Sequence, residues 1–176
     1  MKTIYLANGI RFKSELWNFV SEQYILPIES IRTKTGEQAY KIIEPFESGS
    51  DELNQRIKQN ENITNVKKLK EHNLENTIMI HDENHEHMNK ADILIALLDY
   101  GSDIDPGVAN EIGYFYGKNN GSKPIIGLHS DFRDQGESFG IKYNAMILGD
   151  IILSQNGKSV SSQKELIDYL TELANN

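Results

Sequence analysis

The chain has 176 residues, the size of one domain that buries about two-thirds of its unfolded surface in a single core. Its 26 acidic against 18 basic side chains leave a formal charge of −8, which removes the electrostatic footprint of a nucleic-acid binder and leaves small molecules as the expected partners. There is no cysteine, which excludes disulfides, thiolate nucleophiles and cysteine-ligated zinc; the run Thr3 to Ala7 is too short for a signal-peptide core, and Ile93 to Leu98 is far below bilayer length, so a soluble, cytoplasmic protein without membrane or nucleic-acid partners is expected.

Taken in chain order, "TIYLA" (3–7) is a compact, β-branched run that predicts a first strand, with "ANG" (7–9) as the polar turn after it. In "SELWNFVSEQYIL" (14–26), Leu16, Phe19, Val20 and Tyr24 form an apolar stripe at helical spacing. "YKIIEP" (40–45) predicts a second strand. Residues 47 to 90 are rich in Asn, Lys, Glu and His, with sparse apolar positions such as Leu53, Ile57, Val66, Leu69, Leu74 and Ile78, and predict partly solvated helices with a mobile loop near 47–52.

"DILIALL" (92–98), "KPIIGL" (123–128) and "DIILS" (150–154) predict three more strands. The closing "SQKELIDYLTELA" (162–174) predicts a helix with Leu166, Ile167, Leu170 and Leu173 on one face and a capping box from Ser162 to Glu165. Strands alternating with helices predict βαβ units and one doubly wound α/β domain of about five strands over residues 1–176.

In such a sheet, ligands bind beyond the carboxyl ends of the strands. "ANG" (7–9), "DYGSDIDPG" (99–107) and "HSDFRDQG" (129–136) all fall there, although surface loops are polar for that reason alone. The helix "DPGVANEIGYFYG" (105–117) is the most informative segment. Asp105 and Pro106 start it well, yet Gly107, Gly113 and Gly117 weaken it around a single acid, Glu111.

Helical side chains lean toward the N-terminus, so the Glu111 carboxylate is expected over Gly107, four residues earlier, where a missing side chain leaves an open wall. Spacing alone also allows, and on its own favours, that Gly107 belongs only to the helix start and Gly113 packs on a strand, with Glu111 solvated. Asp105 reads as an N-cap, a role compatible with touching a ligand as well. The run "HDENHEHMNKAD" (81–92) sets His81/His85 and Glu83/His87 at i,i+4, but without an HExxH pattern it reads as a solvated face and no metal is expected. GxGxxG and GxxxxGK[ST] are absent, so dinucleotide and P-loop readings have no support.

"IYLAN", "NHEHMNKADILIALLDYGSDIDPGVANEIGYFYG", "KPIIGLHSDFR" and "YNAM", in that order over roughly residues 2 to 150, resemble the nucleoside 2-deoxyribosyltransferase family. The resemblance implies a flavodoxin-like fold, no cofactor, and transfer of 2-deoxyribose between nucleobases in nucleoside salvage. It implies Glu111 as the covalent nucleophile, Tyr5 as the group that orients it, and Asp105 as a substrate contact that helps with proton transfer. Asn144 and Met146 resemble a segment that a neighbouring subunit contributes, which implies a homo-oligomer with a shared site. Ala7, Gly9, Asn84 and Gly107 complete the expected substrate-binding set.

One position departs from the family, which often has Asp where this chain has Asn84, and an amide does not exchange protons as an acid does. A second enzymatic reading is a deoxynucleoside 5′-monophosphate N-glycosidase, a relative similar at "ADILIA" and "EIG" but with small hydroxyl residues for the phosphate where this chain has Asp105 and Asn144. A third is a nucleoside-sensing module without turnover.

Overall fold

A computed structural model describes residues 1–9, 16–45, 51–99, 104–131, 136 and 140–176. Five parallel strands form one sheet in the order β2-β1-β3-β4-β5: β1 Lys2–Asn8, β2 Tyr40–Ile43, β3 Ile93–Leu97, β4 Ile125–Leu128 and β5 Lys158–Val160. The first four coincide with the predicted runs. β3 is buried along its whole length, which is why it reads as uninterrupted aliphatic sequence rather than as an alternation.

The fifth strand was expected at 150–154 and lies elsewhere. Residues 150–153 instead close a helix, α6 Ala145–Leu153, whose N-terminus Asn144 caps. Ile151 is fully buried while Ile152 and Leu153 are 57% and 70% exposed, the one-sided burial of a helix. The true β5 is a three-residue edge strand with only Val160 buried, too short and too polar to announce itself. Gly157 makes the turn into it: a Cβ there would collide with the Ile151 carbonyl oxygen and the Ser154 hydroxyl.

Helices cover both faces. On one, α1 Trp17–Val20, a π-helical turn Ser21–Ile25 and α2 Leu26–Glu29 follow each other without a break, and α7 Gln163–Ala174 lies alongside; Val20, Tyr24, Leu166 and Leu170 pack there on Ile4, Leu6, Ile93 and Ile95. Half of the predicted capping box is present, with Ser162 Oγ accepting from Glu165 N at 3.2 Å; the Glu165 side chain returns one residue earlier than the box requires, its Oε2 accepting from Ser161 N at 2.8 Å. On the other face lie α4 Val66–Lys90, α5 Pro106–Asn119 and α6, where Met88, Val108, Ile112, Phe115 and Ile151 pack on Tyr5, Ala7, Leu94 and Ala96.

The helical reading of 47–90 holds for α3 Asp51–Gln59, a short 3₁₀ turn Asn60–Asn62 and α4. The expected loop at 47–52 is shorter on its C-terminal side, because Asp51 and Glu52 open α3, where acidic side chains favour a helix N-terminus; 47–50 lie outside the described residues. No helix among the described residues is long and apolar enough to cross a membrane.

Candidate active site

The chain runs from β1 outward to β2 and then returns to place β3 on the other side of β1, so the strand order reverses between β1 and β3. A crevice opens beyond the carboxyl ends of strands at such a point. Here it becomes a cavity of about 450 Å3, bounded by Asn8 from the end of β1, by Asp105, Gly107, Val108 and Glu111 from α5, and by α3 and α4 across from them.

Glu111 and Tyr5 meet at this wall. The Tyr5 hydroxyl, on a fully buried ring in β1, donates to Glu111 Oε1 at 2.6 Å across 106 residues of sequence. Burial pushes the Glu111 carboxyl up to about 7, reinforced by the negative charges of Asp105 and Glu44 and opposed by the Tyr5 hydrogen bond. Burial and the adjacent Glu111 carboxylate raise the Tyr5 phenol far above its usual range, so it stays a proton-bearing donor. A carboxylate held by one short hydrogen bond at a cavity wall, with its charge otherwise little compensated, is well placed to bond to an electron-poor carbon.

Asp105 caps α5: its Oδ1 accepts from Gly107 N at 2.9 Å and Val108 N at 3.1 Å. It also lines the cavity, so the cap and the ligand-facing roles coexist. Gly107 lines the cavity one turn before Glu111, as the spacing predicts. Gly113 does not pack on a strand, since a Cβ there would meet only Asp150 Oδ2, at 3.9 Å, and Gly117 faces open space. Gly9 lets the chain after β1 lie against Asp105: a Cβ would fall 2.8 Å from the Asp105 Cβ and Cγ.

Of the expected residues, Tyr5, Glu111, Asp105, Gly107, Gly9 and Asn84 are thus gathered at or beside the cavity. Ala7 is fully buried in the core, and its neighbour Asn8 lines the cavity instead. Asn144 and Met146 are outside the lining. Asn144 Oδ1 accepts from Met146 N at 3.0 Å and Ile147 N at 3.4 Å, and the Met146 side chain is exposed on the outer surface.

The polar clusters after β3 and β4 do converge, through Asp99, whose carboxylate accepts from Ser130 N at 2.9 Å, Ser130 Oγ at 2.7 Å and Asp131 N at 3.2 Å. Neither Ser130 nor Asp131 reaches the cavity; 132–135 lie outside the described residues. The His-rich run lies on α4, with the His81 and His85 rings 4.0 Å apart and His85 stacked 3.9 Å from Tyr114. Among the described residues no group of three metal-ligating side chains gathers.

Sequence reasoning missed much of the opposite wall. Leu53, Asn54 and Ile57 of α3 and Ile80 and Glu83 of α4 line it, with Pro45 beyond β2. It also missed Glu44, 2% exposed, whose Oε1 accepts from Asn8 Nδ2 at 3.1 Å and whose charge reaches Glu111 and Tyr5. An acid immediately after an aliphatic strand, as in "YKIIEP", was the available signal. The α3 and α4 residues carried none, because nothing local to 51–84 says that these helices fold back over the strand ends.

The chain is a doubly wound α/β protein with a carboxylate-lined cavity at its switch point, and the family model for nucleoside 2-deoxyribosyltransferase matches residues 4–146. The chain belongs to that family, whose members are enzymes of glycosyl transfer or N-glycosidic bond cleavage. No curated protein sequence matches it. In fold it is similar to the CMP N-glycosidase BcmB of Clostridium botulinum, with a TM-score of 0.54 at 17% identity over 98% of this chain and 99% of that one. An azoreductase from Bacillus anthracis str. Sterne aligns over 99% of this chain and 97% of its own with a TM-score of 0.43 at 11% identity.

Proposed function

We propose that the protein transfers 2-deoxyribose from one nucleobase to another through a deoxyribosyl ester on Glu111, as a step of cytoplasmic nucleoside salvage. The observation that carries this reading is the 2.6 Å hydrogen bond from Tyr5 to a carboxylate at the wall of a cavity of about 450 Å3. Breaking an N-glycosidic bond builds positive charge at C1′. The Glu111 carboxylate stabilises that charge and then bonds to the carbon, while Tyr5 holds the oxygen that stays behind. An incoming base attacks the ester from the side the first base left, with net retention.

Unphosphorylated 2′-deoxynucleosides are the preferred donors in this reading. Among the described lining residues there is no Lys, Arg or His to meet a phosphate, whereas Glu83, Asp105 and Glu111 are acidic. A 2′-hydroxyl would crowd the carboxylate and its inductive pull would disfavour the cationic transition state. Asn144 and Met146 act from a neighbouring subunit: their place at the exposed start of α6, a helix that also exposes Ile152 and Leu153 at its other end, suits an interface between copies of the chain.

Chromatography of deoxyinosine or thymidine incubated with free adenine tests the reading. Deoxyadenosine is expected to appear faster than free deoxyribose. Hydrolysis alone, or a clear preference for deoxynucleoside monophosphates, overturns it in favour of an N-glycosidase, and a ligand that binds and stays unchanged points to a sensing module. Mixed oligomers of Glu111→Ala and Asn144→Ala subunits are expected to regain activity where subunits exchange; no recovery despite demonstrated exchange overturns the shared site.

A further inference from the structure

We propose that Glu83 is the group that exchanges a proton with the nucleobase; this rests on the transfer reading above. A base that leaves C1′ takes the bonding electrons with it, and a purine or pyrimidine is a poor anion, so a proton has to reach one of its ring atoms as the bond breaks. Three carboxylates line the cavity among the described residues, Glu83, Asp105 and Glu111. Glu111 is engaged by Tyr5 and bonds to the sugar.

Asp105 is committed to the start of α5. Its Oδ1 accepts from two backbone N–H groups, and its Oδ2 lies against the chain at Gly9, 3.0 Å from where a Cβ would stand. Fixed between the helix start and the end of β1, it suits holding a substrate in place. The resemblance to the family assigned it a part in proton transfer; its surroundings favour a binding role.

Glu83 stands on the other wall. It follows Ile80 by three residues and precedes Asn84, so the three share one side of α4, and all three line the cavity. Leu53 and Ile57 of α3 add apolar surface beside them. This is the part of the lining that can take the face of a planar base and present hydrogen-bonding groups to its edge. A base seated here covers Glu83 and displaces water from around its carboxylate. Asn84 supplies a donor and an acceptor but no exchangeable acid.

The proton balance closes without a further reactant. In the first half, the C1′–N bond breaks, the Glu111 oxygen–C1′ bond forms, and the Glu83 proton moves to the departing base. In the second, the incoming base gives its N–H proton to the Glu83 carboxylate as its nitrogen bonds to C1′ and Glu111 is released.

Two donors separate this role from a structural one. Deoxyadenosine needs a proton on its leaving group, whereas p-nitrophenyl 2-deoxyriboside releases a stable phenolate without one. In the full-length chain, Glu83→Gln is expected to lower kcat on deoxyadenosine about 10²–10³-fold and on the p-nitrophenyl donor by less than about fivefold. Asp105→Asn is expected to slow both donors alike. An equal fall on both donors in Glu83→Gln, or an unchanged rate on deoxyadenosine, overturns the proposal. Wild-type protein that cleaves neither donor overturns the transfer reading itself, and the proposal with it.

Discussion

α5 presses Val108, Ile112 and Phe115 into the core that Tyr5, Leu94 and Ala96 share, so the cavity wall carrying Glu111 is continuous with the centre of the sheet. Facing it, α4 leaves Val66, Leu74 and Ile78 exposed, and Arg56 of α3 links the two helices: its Nε donates to Asn76 Oδ1 at 3.0 Å, its Nη2 pairs with Glu75 Oε2, and its carbonyl oxygen meets the His72 ring. The two walls differ in buried apolar contact, so the α5 wall is expected to be the stiffer. In the proposed reaction, bond-making at C1′ demands a fixed carboxylate, which suits the packed wall, whereas recognition of a flat base tolerates a looser one. Changes in the α5 wall should therefore depress turnover of every substrate, and changes in the α3–α4 wall should alter which substrates are used and how tightly.

The largest effect is expected from Glu111→Gln, which removes the proposed nucleophile and should lower kcat at least about 10³-fold while leaving binding measurable by calorimetry. The same variant should be more stable than wild type. Glu111 is raised in the fold from an ordinary 4.5 to about 7, so the folded state binds the extra proton and its stability falls as pH rises through that interval. Glutamine removes that penalty, on the order of 1–3 kcal/mol at pH 8 and vanishing near pH 4, readable as a melting-temperature gain at the higher pH only. A variant less stable than wild type at pH 8 would show that Glu111 is compensated in the fold.

Tyr5→Phe comes next, with an expected loss of about 10- to 100-fold. Its hydrogen bond holds the Glu111 carboxyl down against burial, so its loss moves the acid limb of the rate profile to higher pH. The deficit should be larger at pH 6 than at pH 9; a uniform deficit would assign Tyr5 to packing alone.

Gly9→Ala tests the seam between β1 and α5. The new Cβ would stand 2.8 Å from the Asp105 side chain, which must shift, at an expected cost of about 1–3 kcal/mol in stability and a raised KM on all donors. An unchanged KM would mean that Asp105 does not bind substrate.

The smallest effect is expected from Arg56→Ala, a few-fold rise in KM with kcat retained and about 1 kcal/mol or less of stability, because the Glu75 side chain it pairs with is exposed and the rest of α3 stays packed through buried Leu53. A fall in kcat as large as that of Tyr5→Phe would erase the distinction between the two walls.

The sequence by itself determined the sheet, four of its strands and the carboxylate helix, because each of these is written in local chemistry. β1 and β3 are buried nearly throughout and read as aliphatic runs, Asp105 and Pro106 mark a helix start wherever they occur, and the interval from Gly107 to Glu111 places both on one face before any tertiary contact forms. Where local chemistry is weak the sequence misleads: the three-residue β5 has one buried side chain, and the run at 150–154 predicts a strand because an aliphatic stretch of that length reads the same in a buried strand and a one-sided helix. The tertiary structure alone decided the partner and the depth of each charge. Tyr5 and Glu111 are 106 residues apart, and their hydrogen bond depends on β1 lying beside β3 under α5. Glu44 and Glu83 carry no local sign of their surroundings, since burial and a carboxylate's neighbours follow from which elements pack against it, and that is set by the long-range order of the sheet and the return of α3 and α4 over its edge.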